Sequence, residues 1–571
     1  MTRVEDFYAT LPEEGLPKWV GELYLELHRG TLTSQGRVKA LNRAAEHRLL
    51  EAEAFSTIAG LHDGVEPSEP LEGAWKTLLL NQFHDILPGS SIKEVYEEAY
   101  HQLTEVLDAA TNARDKALRQ LASSIEAPPG TGDAVLVANA GLAPRALSVV
   151  LPVLDREVVV TDASGESVPS QPTEQGLLVY DPRRVPALGW TTLFVTRKSA
   201  TEVAPEVYAE RTGSGAATLE NALLRVIVGL DGALERIFDK AARRDVLEGR
   251  GNQLWVYVDK PREWDAWDID ESYEQEGEEI SRVQEIEVLE SGPLHAAVRI
   301  YRAWRDSRIV QTYRLSARSR RVDIVTHVEW HERQILLRAL FPLAVRSHEA
   351  TFETMYGVVK RPTHRNTSWE AARFEVAAHR FADLSETGYG VALLNDGKYG
   401  HSAHDNVLGI SLLRSPVHPD PLADEGEHHF TYSLFPHEGD WAGAGVAQEA
   451  FALNSPLCTA ATTRGRETLP PEWGLIKVEG VALALGSLKK AEDSRGLILR
   501  LYEPHGARGK SALHFAREIK RAEKVNLLEE VDEIRPAPTI RGHTLGVEVR
   551  PFEVLTLRLE LYSKGLLLEE A

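Results

Sequence analysis

Apolar positions recur at helical spacing through the first 125 residues and alternate at strand spacing after that. Val38, Leu41, Ala45, Leu49, Ala52, Phe55 and Ala59 form one helical stripe. Ile92, Val95, Tyr96, Ala99, Leu103, Val106 and Ala110 form another, and Leu71, Ala74, Trp75, Leu78, Leu79 and Phe83 form a third, shorter one between them. Three helices burying these stripes against one another make a bundle over residues 17–125. Ala127-Pro128-Pro129-Gly130-Thr131-Gly132 then breaks the periodicity and predicts a linker.

From residue 130 the pattern is one of strands. Val135 to Val137, Ser148 to Leu151 and Val158 to Val160, separated by turn residues, predict a small β domain over 130–205. Longer alternating runs follow at Leu224 to Val228, Leu254 to Val258, Ala297 to Tyr301 and Arg321 to Val328, with Asp231-Gly232 as a hairpin signal. Without long helices between them they predict a large antiparallel sandwich over 206–475. Leu497 to Leu501, Thr544 to Val549 and Val554 to Leu561 predict a C-terminal β domain over 476–571. The fold class is therefore α+β multidomain, a three-helix bundle followed by predominantly antiparallel β-sandwich domains.

The break between the second and third helical stripes carries the chemistry. Asn81-Gln82-Phe83-His84-Asp85-Ile86-Leu87-Pro88-Gly89-Ser90-Ser91 sets a His-Asp pair at a corner, with Pro88-Gly89 as a turn. Ser91 three residues before Glu94 predicts a capping box for the next helix. An imidazole at such a corner suits a metal, and the adjoining carboxylate suits a substrate hydroxyl or the orientation of the ring. An unaided His-Asp dipeptide is more often a histidine bonded to a helix-terminal carbonyl, since one histidine does not make a metal site.

The wording of this segment resembles the one that brings the last zinc ligand into the active site of glycoside hydrolase family 38 α-mannosidases. Gly21 to Thr31 (GELYLELHRGT), Leu41-Asn42-Arg43 with Glu46, Asp259 to Asp270 (DKPREWDAWDID) and Arg361-Pro362-Thr363-His364 resemble the same family. So do Asn395 to Gly400, Leu412 to Pro416 and His428 to Tyr432, in the family's order. The resemblance implies a retaining α-mannosidase that acts on terminal α-mannosides through a covalent intermediate, with His84 as a Zn²⁺ ligand and Asp85, Arg414 and Asp396 at the substrate. His28, Arg29, Tyr399 and His429 are further candidates near the pocket. The family's remaining ligands and its nucleophile lie in an N-terminal barrel with an HTHIDxAWLW-like stretch, which nothing here matches. His418-Pro419-Asp420 is the single His-x-Asp and reads as a solvated turn. Residues 1–16 resemble the tail of that barrel, so the chain is expected to be the C-terminal part, inactive without a separate N-terminal half.

Composition narrows the partners. A net charge of −22 argues against nucleic acid or an anionic membrane. The absence of an apolar run near ~18 residues or of a signal pattern predicts a cytoplasmic protein. Cys458, the single cysteine, excludes a disulfide framework and a cysteine-based metal site. Self-association is compatible with all of this. Two rival readings use the same residues. One is a non-catalytic carbohydrate-binding or accessory protein that kept the sandwich. The other is a self-sufficient hydrolase using Asp265, Asp268 or Asp270 among the tryptophans Trp264 and Trp267. His428-His429 is not expected to hold a metal, since neighbouring strand residues point to opposite faces.

Overall fold

The structure is a computed structural model that describes residues 2–63, 71–125, 133–153, 158–197, 204–461, 468–532 and 536–562. The predicted linker at 127–132 lies outside the described residues. A short helix α1 (Val4–Tyr8) precedes the long α2 (Gly36–Asp63), α3 (Glu72–Asn81) and α4 (Lys93–Ala122). The predicted stripes meet as expected: Val38, Ala45 and Leu49 of α2 pack with Leu78 of α3 and with Tyr96, Ala99, Leu103, Val106 and Ala110 of α4.

Two details differ from the sequence reading. Leu79 and Phe83 are exposed. Leu79 is turned by about 100° from Leu78, off the inward face, and Phe83 lies in the turn beyond the end of α3, at the rim of the corner. The Ser91–Glu94 capping box does not form: α4 starts after Ile92 with no side-chain cap. The Ser91 hydroxyl instead donates to the Asp85 carbonyl at 2.7 Å.

The bundle is not free-standing. Beyond its midpoint α2 is apolar on further faces, and Ala54, Phe55, Ile58 and Ala59, with Ala117, Leu118 and Leu121 of α4, enter the core of the C-terminal β domain beside Leu488, Leu499, Leu501 and Leu513. A helix that is apolar on most sides must be covered on most sides. Among the described residues that domain is a pair of four-stranded sheets. The small β domain pairs Asp133–Asn139 with Gly189–Arg197 and recruits two late segments. Cys458–Ala461 pairs with the first of these strands and Glu472–Gly474 with the second. The large sandwich, expected to run to 475, therefore gives up its last part to the small domain.

The large sandwich is all antiparallel. Among the described residues its nine-stranded sheet centres on Val322–Trp330 and Gly426–Glu438, paired from Val322 opposite Leu434 to Trp330 opposite Gly426. A six-stranded and a five-stranded sheet share its core, which includes Val298, Ile324, Leu337, Phe341, Ile410 and Tyr432. Asp231-Gly232 does turn a hairpin, between Leu224–Val228 and Leu234–Asp239. A short helix, α5 (Ser368–Ala371), and a longer one, α6 (Val446–Asn454), interrupt the strands. No described helix is long and apolar enough to cross a membrane.

The helical domain is joined to this sandwich at the N-terminus of α2. Asp424 accepts the backbone N–H groups of Gln35 and Gly36 at 2.8 and 2.7 Å. The first-turn amides of the 28-residue helix are thus capped from another domain.

Candidate functional site

The corner after α3 is held from behind. The Gln82 amide donates to Asn42 at 3.0 Å and to Glu46 at 2.9 Å on α2. Lys39 donates through Nζ to the carbonyls of Leu87 and Ser34. Gly89 has φ +92°, and a Cβ there would lie 2.6 Å from the Ser34 carbonyl oxygen, so the turn needs glycine both for its dihedral and for its close approach. The Tyr96 hydroxyl reaches the Asp85 carbonyl at 3.2 Å, and Ser90 Oγ donates to Asp85 Oδ1 at 3.0 Å.

On this fixed backbone the two side chains point outward. His84 is 77% exposed and Asp85 47% exposed, and His84 Nε2 lies 3.4 Å from Asp85 Oδ2. That separation is long for a strong hydrogen bond, so the ring is oriented by the carboxylate without being locked. The Phe83 ring stands 4.2 Å from the imidazole, centroid to centroid. With Leu79 and Leu80, both more than half exposed, it forms an apolar rim around the pair. Beneath the corner the charge is buried. Burial lowers the Lys39 ammonium to about 7 and raises the Asp424 carboxyl.

Arg414 is fully buried. Its Nε lies 2.6 Å from Asp259 Oδ2, Nη1 donates to Ser34 Oγ at 3.0 Å, and Nη2 donates to the Asp268 carbonyl at 2.6 Å. It brackets the lead into α2 to the 259–270 loop and presents no surface to a sugar. Gly30 makes room for it, since a Cβ there would lie 2.6 Å from Arg414 Nη1. Arg29 is also buried: it donates to Asp268 at 3.1 Å and to the Ala372 carbonyl, under the Phe374 ring. His28 is exposed beside it.

Asp396 lines a cavity of about 500 Å³ on the nine-stranded sheet, with His327, His429 and Thr431. Its Oδ2 accepts the Thr431 N–H at 2.8 Å, and burial lifts its carboxyl to about 6. Tyr399 accepts from Arg43 Nε at 3.1 Å and so belongs to the junction with α2.

The three aspartates of the 263–270 loop are engaged by the fold, and Glu263 is exposed. Asp265 accepts the amides of Val417 and His418 at 2.7 and 3.0 Å, Asp268 pairs with Arg29, and Asp270 accepts the Arg262 amide. No pair of free acids stands there for a self-sufficient hydrolase. Asp420, expected in a solvated turn, is buried and accepts from Gln35 Nε2 at 2.7 Å, and Tyr100 holds Gln35 in turn. Sequence reasoning missed Asp424 and Asp259. Each acts on residues remote in the chain, and although Asp259 opens the quoted 259–270 stretch, nothing local names its partner. It also missed His327, which stacks on His429.

Three family descriptions match successive parts of the chain. Residues 26–121 match "Alpha mannosidase middle domain", residues 219–422 match "Glycosyl hydrolases family 38 C-terminal domain", and residues 482–557 match "Glycosyl hydrolases family 38 C-terminal beta sandwich domain". Human Alpha-mannosidase 2C1 is 36% identical over 566 residues, covering 96% of this chain and 51% of that protein. Alpha-mannosidase G of Dictyostelium discoideum is 32% identical over 585 residues, covering 95% and 53%. The chain thus spans about half the length of the curated relatives it matches. The crystal structure of an α-mannosidase from Enterococcus faecalis V583 superposes with a TM-score of 0.82 at 19% identity, covering 97% of this chain and 71% of that one, which is a likeness of fold. The chain belongs to glycosyl hydrolase family 38, of which it carries the middle helical domain and the C-terminal β domains.

Proposed function

We propose that this chain is the middle and C-terminal part of an α-mannosidase that hydrolyses terminal α-mannosides with a bound Zn²⁺, and that its activity depends on an N-terminal catalytic half. The observation that carries the reading is the His84–Asp85 pair, outward-facing on a corner that the side chains of Lys39, Asn42, Glu46 and Tyr96 hold from behind. Within this chain the donor set is incomplete. One imidazole and its neighbouring carboxylate stand at the corner, whereas a catalytic zinc takes about three protein ligands. His84 fits as one such ligand, and the others must come from elsewhere. When bound, the metal would supply a Lewis acid for sugar hydroxyls.

Asp85 orients the imidazole from Oδ2 and accepts a sugar hydroxyl proton in a hydrogen bond. The rim of Leu79, Leu80 and Phe83, together with the exposed Leu23, Leu25 and Leu27 of the N-terminal segment, offers apolar surface for the missing half to cover. Arg414 and Asp396 act behind the site by fixing the sandwich against α2 and by shaping the sheet cavity.

A direct experiment co-expresses the chain with an N-terminal half of a family member and assays a chromogenic α-mannoside with Zn²⁺. Turnover by the pair, none by the chain alone, and loss of turnover in His84→Ala are expected. Turnover by the chain alone, or a pair indifferent to His84→Ala, overturns the reading.

One observation favours a carbohydrate-binding role for the same chain. Trp19 and Trp369 stand edge to face at 6.2 Å, both more than half exposed, over a cavity of about 740 Å³ that also holds His348, His364 and Arg373. Exposed indoles beside polar groups suit sugar faces. Retention of the isolated chain on immobilised mannan, lost in Trp369→Ala, supports that role, and equal retention of the variant removes it.

A further inference from the structure

The outer face of the nine-stranded sheet brings together three donors that lie apart in sequence. His327 on Val322–Trp330 is in register with His429 on Gly426–Glu438, and their rings stack at 4.3 Å with planes 2° apart. Glu427, two residues before His429, shares its face. The donor atoms of His327, His429 and Glu427 all lie within 4.8 Å of one another. His428 points the other way and its Nε2 lies 2.8 Å from the Asp424 carbonyl, so the pairing is across strands and not between neighbours.

Two further observations point to a cation. His327 Nε2 is enclosed and has no hydrogen-bond partner. A polar atom left so is costly unless something else reaches it. Glu427 also stands directly opposite Glu329 in the strand register, a like-charge pair that destabilises a sheet. Arg308 offsets only Glu329, at 3.8 Å, and Glu427 makes no ion pair among the described residues.

We propose that His327, His429 and Glu427 bind a divalent first-row cation, with Zn²⁺ the best match, separately from His84. Two neutral imidazoles and one carboxylate leave a fourth tetrahedral position for water, the donor type and number that zinc takes. In the parallel stack the nitrogen lone pairs run side by side, so binding requires the rings to splay. Exposed His429 and Glu427 can supply that movement. The ion would clip two central strands of the sheet together at the mouth of the Asp396 cavity.

The test titrates the whole chain, stripped of metal with a chelator, with Zn²⁺ by calorimetry and with Co²⁺ by visible absorption. One ion per chain is expected at this site, with the strong visible bands of tetrahedral Co²⁺. His327→Asn and His429→Asn should each weaken it by about tenfold or more, since a ligand is removed from a three-ligand set. Glu427→Gln should weaken it less, and His84→Ala should leave it unchanged. Melting curves of the metal-free variants show whether folding is intact, and exposed Glu427 and His429 provide variants that keep it. Absence of Zn²⁺ binding overturns the proposal. So does binding that survives both histidine substitutions or disappears in His84→Ala.

Discussion

The Asp424 carboxylate, in a loop of the large sandwich, accepts the Gly36 N–H at 2.7 Å across 388 residues of sequence. Through this bond the β domain terminates the helix that carries Lys39, Asn42 and Glu46, the residues that hold the His84 corner. Asp424→Ala should therefore loosen the junction as well as remove a cap. Losing one helix cap costs about 1 kcal/mol, and two buried amides left without an acceptor cost more. A lowered melting temperature is expected, together with faster amide exchange at Gln35 and Gly36 than in the unaltered chain. Unchanged exchange there would show that the cap is dispensable.

Arg414 and Asp259 form a buried pair, and burial raises the Asp259 carboxyl to about 6 even beside the guanidinium. Removing one partner of such a pair strands the other and costs roughly 3–5 kcal/mol. Arg414→Met should unfold at markedly lower denaturant, while Arg414→Met combined with Asp259→Leu should recover a large part of the loss. A double variant no better than the single one would show that the bonds to Ser34 and to the Asp268 carbonyl matter more than the ion pair.

What the chain discloses by itself divides along these lines. The stripes from Val38 to Ala59 and from Tyr96 to Ala110, and the corner at His84, are local periodicities and turn signals, and they appear where the sequence puts them. Leu79 and Phe83 misled because a stripe drawn from spacing alone does not show where the helix reaches its rim. Arg414 misled because a motif marks that a residue matters, not whether it faces ligand or core. The His327–His429 stack depends on strand register between distant segments, and the Asp424 cap and the Asp259 pair depend on how loops remote in sequence dock against other elements. Alternation fixes which face a residue takes, but which residue of a distant strand stands opposite it is decided only when the sheet assembles.

Asp396 gives a pH signature. Burial raises its carboxyl from the ordinary 3.8 to about 6. Between those values the folded chain holds a proton that the unfolded chain has released. Its contribution to stability is therefore complete below about pH 4 and is lost as pH rises through 6. The full shift corresponds to at most about 3 kcal/mol. Denaturant melts from pH 4 to 7 should show a decline that Asp396→Asn flattens, because an asparagine oxygen still accepts the Thr431 amide and carries no proton to lose. A decline of equal slope in the variant would place the titrating group elsewhere.

His84 and Gly89 separate function from scaffold at the same corner. His84→Ala removes an exposed ring, and substitutions at such positions lie within about 0.5 kcal/mol of neutral. Its melting curve should match that of the unaltered chain while any zinc-dependent turnover of the reconstituted pair is lost. Gly89→Ala places a Cβ at φ +92° and 2.6 Å from the Ser34 carbonyl oxygen. The left-handed conformation alone costs about 1–2 kcal/mol, and the contact with rigid backbone adds to it. This variant should lose stability and turnover together, since the turn must shift and carry His84 away from its position over α2. Gly89→Ala with intact stability would mean that the corner can relax, and the exposed His84 would then owe its placement to the partner half instead of to Ser34 and Lys39.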